Sequence, residues 1–240
     1  MEFDRDLRSI QEARDLMRNA VAAQKQFAEF DQAQVDRICE AMCAACMANA
    51  EPLAKMANEE TGFGRWEDKV LKNQLGSKIV WDSIKEMKTI GVLAEDPVSK
   101  TMDVAVPVGV VVALIPSTNP TSTVMYKTLI SLKAGNAIVI SPHPGAMNCI
   151  LATVKVLQDA ARKAGAPDHL IQVVETPSKQ STETLMKHPD TGMILATGGE
   201  AMVRAAYSSG NPALGVGPGN GPSFIEKSAN IPVAVKRIFD

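Results

Sequence analysis

Five short segments rich in Gly, Pro, Ser and Thr could hold a ligand. They are Ile115–Pro120 (Ile115, Pro116, Ser117, Thr118, Asn119, Pro120), Ser141–Ala146 (beginning Ser141, Pro142, His143), Glu175–Lys179, Ala196–Glu200 (with Thr197, Gly198 and Gly199) and Gly215–Asn220 (beginning Gly215, Val216, Gly217). Small residues let a backbone approach a ligand closely, and a helix N-terminus following such a turn favours phosphate oxygens. Any one of these segments reads equally well as a tight turn with a helix cap. Five of them on one edge favour a dinucleotide-like ligand. The other chemistry-bearing residues are four cysteines. Cys39, Cys43 and Cys46 lie at i, i+4 and i+7 of a predicted helix, and Cys149 lies early in a later one. Three thiols on one helix face without a fourth ligand make a poor zinc pattern, so no metal site is expected. Burial against a neighbouring element is the expected role of all four.

The elements that must position these segments follow from periodicity. Over the first ninety residues Leu7, Ile10, Leu16, Met17, Val21, Phe27 and Phe30 recur every three to four positions, the period of a helix face. Asp31 with Gln34 fits a capping arrangement opening a second helix, which Pro52 interrupts. After Gly62 and Gly64 a third helix carries Trp66, Val70, Leu71, Leu75 and Ile79, and a polar connector, AEDPVSK, closes the region. From about residue 101 the period becomes 2. Val104, Val106, Val108, Val110 and Val112 alternate, and Pro107 and Gly109 mark a turn between two strands of a hairpin, expected as an exposed edge. Short apolar runs (VVVALI, AIVIS, IQVVE, GMILA, PALGV) then alternate with helices starting near Thr121, Gly145, Ser178 and Glu200. That order predicts an α/β fold: N-terminal helices, then a Rossmann-like parallel sheet with helices on both faces and right-handed crossovers. The expected division is a helical region over 1–100 and a cofactor-binding domain over 101–240. In such a sheet ligands bind at the carboxyl ends of the strands, where the five turns fall.

Composition narrows the function classes. Of 240 residues 45% are apolar, 22% charged and 4% aromatic, with net charge −2. No basic face or stacking platform for nucleic acid is indicated, and no apolar run of membrane-spanning length occurs. The N-terminus lacks an apolar signal core, and the cysteine usage reads as a reduced, cytoplasmic protein. Neither G-x-G-x-x-G after the first strand nor a Walker motif is present; Gly215-Val216-Gly217-Pro218-Gly219 is only a weak partial pattern.

The stretch VAVPVGVVVALIPSTNPTSTVMYKTLISLKAGNAIVISPHPGA, with RWEDKV (Arg65–Val70), ILATGGEAMVRAAYSSG (Ile194–Gly210) and PALGVGPGNGPSFIEKSANI (Pro212–Ile231), resembles the aldehyde dehydrogenase superfamily. More narrowly it resembles the CoA-acylating aldehyde dehydrogenases, including the aldehyde half of bifunctional aldehyde–alcohol dehydrogenases. The resemblance implies oxidation of an aldehyde through a thioacyl-cysteine, with NAD or NADP as cofactor and coenzyme A as co-substrate and acyl acceptor. It implies that Asn119 holds the oxyanion. It implies that Ile115, Pro116, Ser117 and Thr118, Ser141, Pro142 and His143, Thr197, Gly198 and Gly199, and Gly215, Val216 and Gly217 lie at the cofactor. An Asx-turn or helix cap is the alternative role for Asn119, and a ligand-free turn that for His143.

Two departures from the wider superfamily carry information. Hydrolysing relatives have a water-activating glutamate where this chain has Gly215, and its absence suits a thiol acceptor. Hydrolysing relatives commonly carry a lysine where Ser141 falls, so the choice between NAD and NADP is open. None of the four cysteines matches the family nucleophile, which the resemblance implies lies in a second domain beyond Asp240. The chain is therefore expected to be a fragment that binds cofactor, of a full-length homo-oligomer in the cytoplasm or a bacterial microcompartment. The amphipathic N-terminal extension of many microcompartment members is not expected here. A non-catalytic nucleotide-binding or assembly module, or a related acyl-phosphate reductase, are the alternatives.

Overall fold

The computed structural model describes residues 4–217 and 219–239. Helices α1 (Arg5–Phe27), α2 (Gln32–Ala48) and α3 (Ala50–Thr61) come first. The Asp31 carboxylate accepts from Gln34 N–H while the Gln34 side chain accepts from Asp31 N–H, the expected capping box. Pro52 falls in the first turn of α3, where its missing N–H costs no helical hydrogen bond. Next come α4 (Trp66–Gln74), a π-helical turn (Leu75–Ile79) and α5 (Val80–Ile84).

The hairpin is not where the alternating valines put it. Strands β1 (Gly91–Asp96) and β2 (Thr101–Ala105) pair antiparallel, and their turn is the connector at 97–100. The Asp96 carboxylate accepts from the N–H groups of Val98 and Ser99 and from the Ser99 hydroxyl, and Lys100 takes φ 55° to close the turn. Val104, Val106 and Val108 are exposed, whereas Val110 and Val112 are buried in a different sheet. The even valine spacing thus runs across two unrelated strands.

That second sheet has five parallel strands in the order β5-β4-β3-β6-β7: β3 (Val110–Ile115), β4 (Ala137–Pro142), β5 (Ile171–Val173), β6 (Thr191–Thr197) and β7 (Ala213–Val216). The linking helices are α6 (Pro120–Lys133), α7 (Met147–Lys163), α8 (Lys179–Met186) and α9 (Glu200–Tyr207), with α10 (Ile231–Phe239) following β7. Every residue of β3 and β4 is buried, so both faces of the central sheet are covered, and these strands read as unbroken apolar runs. Here lies the expected α/β architecture, with α1 packed on β4 and α8, and α2 on α6 and α7.

Two details fix the centre of the sheet. A Cβ on Gly192 would lie 2.0 Å from Val108 O, so β6 can dock beside β3 only with glycine there. Lys127 of α6 is buried and its Nζ donates to Leu114 O and Leu195 O, both at 2.8 Å, bridging the carboxyl ends of β3 and β6. Among the described residues no helix is long and apolar enough to cross a membrane.

Candidate functional site

The turns after β3, β4 and β6 converge on a cavity of about 560 Å³. Ile115 and Pro116, Ser141, Pro142 and His143, and Thr197, Gly198 and Gly199 line it. The opposite wall is helical: Ser178, Lys179, Thr182 and Glu183 from the start of α8, and Ala201 and Met202 from α9. Ser117, Thr118 and Asn119 continue the first turn beyond this lining. Gly215, Val216 and Gly217, at the end of β7, are not among the lining residues either.

The helix N-termini around the cavity differ in availability. Glu60 of α3 closes that of α7: its carboxylate accepts from Asn148 N–H at 2.8 Å and Cys149 N–H at 2.7 Å. Burial works against the Glu60 charge, but these two amide bonds win and hold its pKa below the ordinary glutamate value. At α8 a capping box of Ser178 and Ser181 is in place, and Ser9 of α1 bonds the Ser178 hydroxyl at 2.7 Å. By contrast α9 begins at Gly199 with no side-chain cap, and a Cβ on Gly199 would meet nothing within 4 Å. No side chain caps its first amides, and Gly199, Ala201 and Met202 border the cavity.

Two residues of the β4 turn are partly committed. The Ser141 and Thr182 hydroxyls bond each other at 2.9 Å in a buried pair. His143 Nδ1 accepts from Gly145 N–H at 3.0 Å, which leaves Nε2 as the ring's donor on an exposed face. His143 thus shapes its own turn and still borders the cavity.

Asn119 sits immediately before α6, and its side chain makes no helix-capping bond. Helix α4 holds it instead. Lys72 Nζ donates to Asn119 Oδ1 at 3.0 Å, and Lys69 Nζ donates to the preceding carbonyl, Thr118 O, at 2.7 Å. Lys69 is buried, and desolvation, then the charge of Lys72, lower its pKa. One residue on, buried Asn73 accepts from the Thr121 hydroxyl at 2.7 Å and donates to Ala50 O at 2.8 Å, pinning α4 between α3 and α6. A Cβ on Gly76 would lie 2.7 Å from Ser122 O, so the π-helical turn also needs glycine to pass this close. The buried side of this helical segment is therefore polar, Lys69, Asn73, Gly76 and Ser77, while Leu71, Leu75 and Ile79 are more than half exposed. Apolar period locates the helix but not the face that packs. Neither Lys69, Lys72 nor Asn73 stands out in the sequence; the only signal is their i, i+3, i+4 spacing within and after RWEDKV.

At Gly215 the absence of a carboxylate has a steric counterpart. A Cβ there would lie 2.6 Å from Val203 Cγ1 and 2.9 Å from Tyr207 Cε2, both on α9. The Gly215 N–H donates to the Tyr207 hydroxyl at 2.9 Å.

The four thiols are all buried. Desolvation, assisted by Asp36, pushes Cys39 up to about 12, and desolvation alone with Cys43 does the same for Cys46. Cys43 is raised chiefly by burial, and Cys149 by burial and then Glu60. None is a thiolate at neutral pH, so none is poised as a nucleophile.

A family model described as "Aldehyde dehydrogenase family" matches residues 7–240. The bifunctional aldehyde-alcohol dehydrogenase AdhE of Escherichia coli (strain K12) is 45% identical over 230 residues, 96% of this chain and 26% of that protein. Two crystal structures superpose on 98% of the chain and 52% of their own: a probable aldehyde dehydrogenase from Listeria monocytogenes EGD-e (62% identity, TM-score 0.92) and an acetylating aldehyde dehydrogenase from Geobacillus thermoglucosidasius (51%, TM-score 0.91). A propionaldehyde dehydrogenase from Rhodopseudomonas palustris, solved with bound CoA and an acylated cysteine, matches at 33% identity and TM-score 0.78 over 91% of this chain and 50% of its own. The chain thus spans about a quarter of the curated relative and about half of each solved one.

Proposed function

The chain belongs to the aldehyde dehydrogenase family, and from that premise we propose that it is the nicotinamide-nucleotide-binding part of a CoA-acylating aldehyde dehydrogenase. The observation that carries the reading is the strand-end cavity bordered by the uncapped α9 N-terminus at Gly199, with Asn119 in the turn that follows β3. A volume of about 560 Å³ lies in the range of small-molecule and cofactor sites. The uncapped α9 amides suit the pyrophosphate of a dinucleotide, and Ser141, Pro142, His143 and Pro144 with Lys179 border the side where an adenosine would lie.

NAD or NADP held there by the strand-end turns and the start of α9 would supply the hydride acceptor for the aldehyde. The chain's own contribution is then binding and polarisation. Asn119 offers a side-chain N–H to the oxygen that becomes negative as a thiolate adds to the carbonyl. The thiolate is not one of the four buried cysteines of this sequence. Gly215, where Val203 and Tyr207 fill the space a side chain would need, supplies no carboxylate to activate water, which fits transfer of the acyl group to the thiol of coenzyme A. Short aldehydes are the substrate class, in keeping with the named relatives. We assign the helices of residues 1–100 to a region supporting the cofactor domain over 101–240, with the β1–β2 hairpin across the boundary, and the whole protein to a homo-oligomer of the cytoplasm or a microcompartment.

The test has two arms. Titration of the 240-residue chain with NADH, followed by nicotinamide fluorescence, should give saturable binding that Gly199→Val abolishes. The complete reading frame should reduce NAD or NADP with acetaldehyde only when coenzyme A is added. Absence of nicotinamide binding, or turnover that needs inorganic phosphate in place of coenzyme A, sinks the proposal.

A further inference from the structure

The stretch from Arg65 to Gly76 has no part in the cofactor cavity, yet it is the element that grips the turn before α6. Lys72 reaches across from α4 to Asn119 Oδ1 at 3.0 Å, and Asn119 donates to no partner among the described residues. An ammonium is a donor only. Whichever way the Asn119 amide is drawn, its oxygen must face Lys72, because the opposite orientation sets donor against donor. The NH₂ end must then face away from α4, out of the turn. Loss of the Asn119 side chain as a helix cap fits the same assignment, since the amide is held from outside α6. Lys69, bonded to Thr118 O, fixes the backbone of the same turn, so the two lysines act on different atoms.

We propose that Lys72 is a positioning residue for the oxyanion donor: by occupying Asn119 Oδ1 it fixes the amide in the one orientation that presents N–H to the reacting oxygen. The proposal rests on the CoA-acylating reading and extends it to a residue outside the reacting shell. A positive charge on the oxygen side of an amide also polarises it, which strengthens the N–H as a donor. Lys72 is exposed, so its removal leaves no buried gap.

The experiment uses the complete reading frame, with acetaldehyde, NAD (or NADP) and coenzyme A as probes. Removing one oxyanion donor lowers kcat by about 10²–10³ in comparable sites, and Asn119→Ala sets that reference here. Lys72→Met, which frees the amide to rotate, should lower kcat about tenfold and leave the KM for the nicotinamide cofactor unchanged. Lys72→Arg, still donor-only, should recover to within about threefold of the parent. Lys72→Glu places an acceptor against the amide, turns the NH₂ end inward, and should fall close to Asn119→Ala. In the Asn119→Ala background Lys72→Met should cost nothing further, because its effect runs through that amide. Two outcomes overturn the proposal: a Lys72→Met enzyme with the parent's kcat, or an undiminished Lys72→Met effect in the Asn119→Ala background. A parent enzyme with no CoA-dependent turnover overturns the functional reading itself, and is recognised because it is silent before any substitution.

Discussion

Lys127 shows how much one buried amine can carry. Its two carbonyl partners take two N–H bonds, all the donors that a neutral amine has, so the uncharged form leaves no N–H unpaired in the core. Burial lowers its pKa from 10.5 to about 7. The sign of the consequence follows from proton counting. Above about pH 10.5 neither state holds the proton. Between about 7 and 10.5 the unfolded chain binds it and the folded chain does not, so stability rises with pH; below 7 the penalty of burying the charge is complete. Urea unfolding should therefore show the parent gaining stability over Lys127→Met between about pH 7 and about pH 9. A constant difference between the two proteins across that range would refute the assignment.

At the level of elements, β7 and α9 are joined through Gly215. The helix lays Val203 and Tyr207 against the strand where a side chain would stand, and the Tyr207 hydroxyl takes the strand's N–H. Gly215→Glu should thus be destabilising by roughly 1–3 kcal/mol through overpacking, measured by chemical denaturation, and should not turn the complete enzyme into a hydrolase. How far such elements can be read from sequence depends on what marks them. Strands β3 and β4 are legible because burial on both faces leaves continuous apolar runs, and α2 is legible from Asp31 and Gln34. The ligand-side turns are legible because Gly, Pro and Ser mark them. The hairpin is misread because the valine spacing continues from exposed Val104 into buried Val110, while the true turn depends on Asp96 side-chain bonds hidden in a polar connector. The grip of α4 on the Asn119 turn is not legible at all. Lys69, Lys72 and Asn73 look like a solvated face, and the fold alone brings them to partners more than forty residues away.

On the scale of the whole molecule, the cavity lies where the sheet changes direction: β3, β4 and β5 are laid down outward to one edge, and β6 and β7 are then added on the other side of β3. The residues bordering the cavity are therefore drawn from both halves of the sheet, Ile115, Pro116 and His143 from one and Thr197, Gly198 and Gly199 from the other, and the site is complete only when the halves meet. That order has a counterpart in time. Pairing β3 with β4 closes a short loop around α6, whereas pairing β3 with β6 must enclose β4, β5 and three helices, at a greater entropic cost before any contact rewards it. It must also slide Gly192 beneath the Val108 carbonyl. The seam between β3 and β6 is then expected to form later than the β3–β4 pairing. In stopped-flow refolding, Val139→Ala in β4 should slow folding, while Ile194→Val in β6 should chiefly speed unfolding, since both side chains are fully buried but stand in strands on opposite sides of β3. On this account the ligand cavity opens along its own folding seam, and a bound dinucleotide would act as a brake on unfolding.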